Sequence, residues 1–297
     1  MNAKRYTRKA ADRTASAPSD PRRWRPGTSL QIGPGGATNM KLEELHAADI
    51  RCIELAWRND EFDIFDSANE RMLGRLAARA RELGIEIWSL HLPYGEAWDV
   101  SVIHSGDRDA AISRHLRLLG MADRWNIRTT VLHPSWEPIP QAERQQRLSA
   151  CQQSLALLSE SSSRLGVRIA VECLPRTCLG HTSEEMAVLL EADERLGVCC
   201  DVNHLTRETP ARFIQALGSR LFTVHMSDND GIDERHWLPG QGVIRWNDVI
   251  GALADRGYDG PFMFEARPVQ PSRLADCWRE LLTDYVCDQR ERKEEGS

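Results

Sequence analysis

The stretch GVRIAVECLPRTCLGHTSEEMAVLLEADERLGVCCDVNHL, residues 166–205, decides the fold. Its flanks, VRIAVECLP (167–175) and LGVCCDVNHL (196–205), are short apolar runs that end in Pro, Asp or Asn. Buried parallel strands read this way. Between them, residues 183–195 repeat apolar positions at helical spacing. Strand, crossover helix and strand make one βαβ unit, which joins parallel neighbours in a sheet.

Working outward, the same unit recurs. The further apolar runs are SLQIG (29–33), IRCIELAW (50–57), IEIWSLHLP (85–93), IRTTVLHPS (127–135), LFTVHMSD (221–228) and PFMFEARP (261–268), which brings the strands to eight. Helical spacing fills 69–83, 107–124, 141–165, 208–218, 246–256 and 271–287. Gly84, Gly166, Gly197 and Gly257 precede strands as expected helix C-caps. Eight units in this length predict a single α/β domain, a (β/α)8 TIM barrel over residues 28–288. A doubly wound sheet is disfavoured, because GPGGATN (33–39) lacks the G-x-G-x-x-G spacing.

Residues 1–27 read as a flexible basic N-terminal arm, and 289–297 as a solvated C-terminal tail. Residues 1–25 carry eight Lys/Arg and two Asp, so the net charge of −6 leaves −12 on the rest. An acidic body disfavours nucleic acid and membrane surfaces. No apolar run reaches the roughly 20 residues of a membrane span. The N-terminus has no apolar secretory core. The eight cysteines form no C-x-x-C pair and read as reduced thiols of a cytoplasmic protein. A homo-oligomer is compatible with all of this.

Polar residues collect where the strands end: His91, His133, Glu172, Asp201, His204, His225 and Glu265. In a barrel these ends share one face, where active sites sit. Glu172, Asp201, His225 and Glu265 are the predicted metal ligands. Three carboxylates and an imidazole suit one divalent ion of intermediate hardness, with Mn²⁺ favoured over Co²⁺, Mg²⁺ or Zn²⁺.

VECLP, CCDVNHL, VHMSDNDG with ERHWLPGQGVIRW, and MFEAR resemble the xylose-isomerase-like TIM-barrel superfamily, in its sugar phosphate isomerase/epimerase branch. The resemblance spans roughly residues 28–285. It implies a divalent-metal-dependent isomerase or epimerase of sugars or sugar derivatives, with a small sugar or polyol as partner. It also implies that Glu172 and Glu265 exchange a proton next to a carbonyl, through a metal-stabilised enediolate. His91, His133, His204 and His236 are expected to line the substrate, as are Trp57, Trp136 and Trp237. Arg58, Arg176, Arg207 and Arg267 follow strand ends and are candidates to hold an anionic group, Arg267 foremost. The loop 228–242 is expected to cover the pocket.

One departure stands out. Ketohexose 3-epimerases of this type carry an acidic residue and an Arg soon after the metal-binding histidine. Here no Arg follows His225 until Arg235. Inosose dehydratases and keto-glycoside eliminases share the first step and are alternatives. The endonuclease IV branch, which cuts abasic DNA with three zinc ions, is another. Its nine ligand positions can be filled by His91, His133, Glu172, Asp201, His204, His225, Glu234, His236 and Glu265, with Glu replacing the usual Asp at 234. A non-catalytic sugar-binding barrel is the last alternative.

Overall fold

The computed structural model describes residues 17–33, 39–57 and 62–295. Residues 1–16 of the expected arm, most of GPGGATN, Arg58 and the last two residues lie outside these. The eight strands are β1 (Pro26–Ile32), β2 (Cys52–Trp57), β3 (Glu86–His91), β4 (Thr129–Leu132), β5 (Arg168–Glu172), β6 (Gly197–Asp201), β7 (Leu221–His225) and β8 (Phe262–Phe264). The helices are α1 (Asn39–Ala47), α2 (Ser67–Glu82), α3 (Ser105–Arg124), α4 (Arg144–Leu165), α5 (Ser183–Leu190), α6 (Pro210–Leu217), α7 (Trp246–Asp255) and α8 (Pro271–Glu295).

All strand pairs run parallel, in the order β7-β6-β5-β4-β3-β2-β1-β8. Between β7 and β8 the barrel closes through one parallel bridge, Met226 with Phe264. There Met226 N–H donates to Met263 O at 2.8 Å. Each strand is covered on both faces, which is why the runs read as continuously apolar rather than alternating. Inside the barrel, small residues of neighbouring strands meet: Val131, Ala170 and Cys199. Outside, residues such as Leu73, Leu118, Leu155 and Leu253 seat the helices on the sheet.

Local chemistry sets the helix ends. The Asp66 carboxylate accepts from Ala68 N and Asn69 N at the start of α2. Gly84, Gly166 and Gly257 take the left-handed conformation after α2, α4 and α7, at φ 66°, 66° and 69°. Gly197 does not act as a cap. It opens β6, where a Cβ would stand 2.2 Å from the Phe222 ring, so close packing rather than backbone rotation requires glycine. Helix α1 was not among the expected helices; it is short, and Leu42 and Leu45 anchor it.

Residues 17–27, expected within the arm, are packed against the barrel. Ser19 N–H donates to Ala254 O at 2.8 Å. Trp24 is buried, donates from Nε1 to Tyr258 O and stacks on Trp278. One aromatic anchor overrides a composition that reads as flexible, and residues 17–27 join the barrel. The tail expected from residue 289 continues α8 to Glu295. No helix among the described residues is long and apolar enough to cross a membrane.

Candidate metal and catalytic site

Glu172, Asp201 and His225 are the last residues of β5, β6 and β7, and Glu265 follows β8. The parallel register sets Asp201 beside His225. One ligand atom from each of the four lies within 4.8 Å of the others. His225 Nδ1 is 2.9 Å from Glu172 Oε1, 3.0 Å from Glu265 Oε2 and 3.8 Å from Asp201 Oδ2. Its other nitrogen, Nε2, is 3.0 Å from Glu54 Oε1, and Ser89 Oγ donates to Glu54 Oε2 at 2.7 Å. His225, Glu54 and Ser89 are fully buried. A carboxylate behind a histidine orients the ring and raises its basicity, as behind metal-bound histidines. The neutral ring with Nε2–H on Glu54 turns an Nδ1 lone pair toward the three carboxylates.

These groups are electrostatically crowded. Burial opposes a charge on His225, yet Glu265, Glu54 and Glu172 around it raise it well above the imidazole range. Burial likewise opposes the Glu172 carboxylate, but His225 and His133 hold it well below its ordinary value. Asp201 goes the other way: burial raises it, only partly offset by His204. Asp201 Oδ2 and Glu265 Oε2 are buried without a hydrogen bond. The His225 Nδ1–H can point at Glu172 or at Glu265, not at both. Carboxylate oxygens left unsatisfied around one point fit a divalent cation, and the O₃N donor set suits Mn²⁺, Co²⁺, Mg²⁺ or Zn²⁺.

Two further groups adjoin the first. Glu172 Oε2 is 3.1 Å from His91 Nε2 and 2.9 Å from His133 Nε2. Burial opposes the His91 cation, but Glu172 outweighs it and the ring is pushed up to about 9. Burial dominates at His133, which is lowered. Farther along the rim, His204 Nε2 is 2.9 Å from Glu234 Oε2, and His236 Nε2 is 3.9 Å from it. Despite burial, His204 holds the Glu234 carboxylate down at about 2. His236 sits at φ 51°, a strained conformation for a residue with a side chain. Asn203 Oδ1 accepts from Arg235 N and His236 N, and His236 Nδ1 pairs with Glu265 O.

The loop after β7 carries Glu234 and His236 to this face. Asp228, fully buried, accepts from Gly240 N at 2.8 Å, Ile244 N at 3.1 Å and Trp246 Nε1 at 3.0 Å. Trp237 pairs with Asp228 through the backbone, so it braces the loop. Trp57 and Arg267 line a cavity that also touches His91 and Glu265. Tyr94 stacks between His133 and Trp136. Arg176 is not offered to a ligand: it pairs with Glu137, Asp233 and Glu234. Arg207 points back to Arg176 O at 3.5 Å.

Glu54, Ser89, Asn203, Tyr94 and Asp228 were not among the expected site residues. Glu54 carried a readable signal, a lone acid inside the apolar run IRCIELAW. It lies in mid-strand, though, where a strand-end criterion does not look.

The family model described as "Xylose isomerase-like TIM barrel" matches residues 42–282. The chain belongs to this family. An uncharacterised protein of Methanocaldococcus jannaschii is 29% identical over 141 residues, which is 45% of this chain and 47% of that one. A ketose 3-epimerase of Arthrobacter globiformis is 27% identical over 177 residues, 56% of this chain and 58% of its own. The chain thus spans about half the length of these curated relatives. Among solved structures, a D-tagatose 3-epimerase-like protein superposes with a TM-score of 0.73 at 21% identity, over 89% of this chain and 98% of that one. At that identity the likeness is one of fold.

Proposed function

We propose that this protein is a divalent-metal-dependent isomerase or epimerase of a sugar or sugar derivative. The observation that carries this is the pair of carboxylates, Glu172 and Glu265, that meet at His225 Nδ1 at 2.9 and 3.0 Å. The ketose 3-epimerase among its relatives supports the reaction class. Glu172, Asp201, His225 and Glu265 would hold the ion, which when bound supplies Lewis-acid polarisation of a substrate carbonyl.

The two glutamates differ in a useful way. Glu265 is 24% exposed and lines the cavity, so it is the group placed to take a proton from the carbon next to the carbonyl. Glu172 is 1% exposed, with both oxygens engaged by His225, His91 and His133. It is the second acid/base, and the two histidines can hold its proton. No arginine follows His225 until Arg235, and that residue is tied to Asp230 at 2.7 Å. That favours a sugar derivative, and dehydration or elimination would begin with the same abstraction. Eight unpaired cysteines support a reducing, cytoplasmic setting.

A second reading has its own observation. Glu172 joins the central cluster to His91 and His133, while His204, Glu234 and His236 form a third group. This is the nine-residue set that the endonuclease IV resemblance named. One experiment separates the readings. Metal content is measured on the purified protein, then the Mn²⁺-loaded and Zn²⁺-loaded forms are assayed for solvent-deuterium exchange into ketoses, inososes and keto-glycosides, and for nicking of abasic duplex DNA. One ion per chain with chelator-sensitive exchange supports the isomerase. Three zinc ions with nicking and no exchange replaces it with the nuclease.

A further inference from the structure

The cavity beside the central cluster has a volume of about 210 Å³. One end is reactive: His91 and Glu265 line it. Lys41 of α1 and Arg267, after β8, also line it, and Glu265 is the only carboxylate among its described lining residues. The Arg267 backbone is fixed, its N–H donating to His236 O at 2.7 Å. Its guanidinium makes no ion pair among the described residues and is exposed. Trp57 is 3% exposed, and its Nε1–H has no acceptor among the described residues. A buried donor without an acceptor is costly. Among the described residues the wall therefore presents the Arg267 cation beside Lys41 and an unmatched N–H, and holds no carboxylate away from the reactive end.

We propose that the substrate carries an anionic oxygen group, phosphate or carboxylate, remote from its reacting carbonyl, and that Lys41 and Arg267 bind it. Trp57 Nε1–H donates to a neighbouring substrate oxygen. Arginine suits either anion, because its planar fork can donate two parallel hydrogen bonds. The reacting end of this assignment rests on the isomerase reading; the anion subsite does not.

The test uses the full-length Mn²⁺-loaded protein and three probes: fructose, its terminal phosphate ester, and the keto acid whose terminal carbon is a carboxylate. Binding is followed by calorimetry and turnover by deuterium exchange. At least one anionic probe should bind more tightly than fructose. Arg267→Gln and Lys41→Gln should each weaken that probe roughly 10- to 100-fold, the range for a lost charged contact, and weaken fructose far less. Arg267→Lys should restore part of the difference. The two anionic probes tell phosphate from carboxylate. Equal binding of all three probes, or equal losses for charged and neutral probes, overturns the subsite. Charge-selective binding without deuterium exchange leaves the subsite standing and sinks the isomerase reading.

Discussion

Replacing Glu54 tests whether His225 is a metal ligand held in place from behind. The Glu54 carboxylate lies 3.0 Å from His225 Nε2 and accepts from Ser89 Oγ at 2.7 Å, with all three groups fully buried. Glu54→Leu removes both acceptors. His225 loses the partner that selects its tautomer, and two buried donors are left unpaired. Removing such a partner lowers metal affinity about 10- to 100-fold, or ~1.4–2.8 kcal/mol. The unpaired donors should also cost about 1–3 kcal/mol of folding stability each. Glu54→Gln keeps an acceptor oxygen and the side-chain volume but loses the charge, so its affinity should fall about tenfold, at the gentler end of the same range. Mn²⁺ titration by calorimetry reads the affinity, and circular dichroism reports folding. The expected order is wild type, Glu54→Gln, Glu54→Leu. If folded Glu54→Leu binds Mn²⁺ as wild type does, His225 is not oriented through Glu54 or is not a ligand.

Three other tests reach different links. Glu172→Gln and Glu265→Gln should each reduce turnover by ~10²–10⁴-fold, as expected for a lost general acid or base, while metal affinity falls only moderately; wild-type rates in both would rule out the proton-transfer pair. His115 is buried, with Nε2 on Trp98 O, and burial lowers it to about 4 from 6.5. As pH falls through 6.5 the unfolded chain therefore takes its proton first, so stability complete above 6.5 is lost toward 4, by about 2 kcal/mol at pH 5. Denaturant melts should show a smaller pH 8 to pH 5 loss in His115→Phe than in wild type, and equal losses would contradict this origin. Gly197→Ala should cost roughly 1–3 kcal/mol by overpacking against Phe222, and that cost should shrink when measured in a Phe222→Ala background; full additivity would point elsewhere.

The barrel was legible in the sequence because its strands are buried on both faces. Each of the eight therefore stands out as an apolar run, and Gly84, Gly166 and Gly257 punctuate the helices between them. The strand-end criterion picked out Glu172, Asp201, His225 and Glu265, which the barrel brings together, for a related reason: a polar residue closing an apolar run is visible without knowing the fold. It missed Glu54, which from mid-strand contacts His225, 171 positions away. It placed Arg176 among the anion-binding candidates, since nothing in the chain order announces the carboxylates of Glu137, Asp233 and Glu234 around it. The Arg-rich composition also hid Trp24, whose partners Tyr258 and Trp278 come from the far end of the chain. The sequence by itself determined the order of the strands, the helices from α2 onward and the residue types at the mouth, because periodicity and local punctuation are properties of neighbouring residues. Only the tertiary structure decided which oxygens face which nitrogens and which charges are already matched, because closure of the barrel brings groups from six strands within hydrogen-bonding distance, and electrostatic energy depends on that separation rather than on position in the chain.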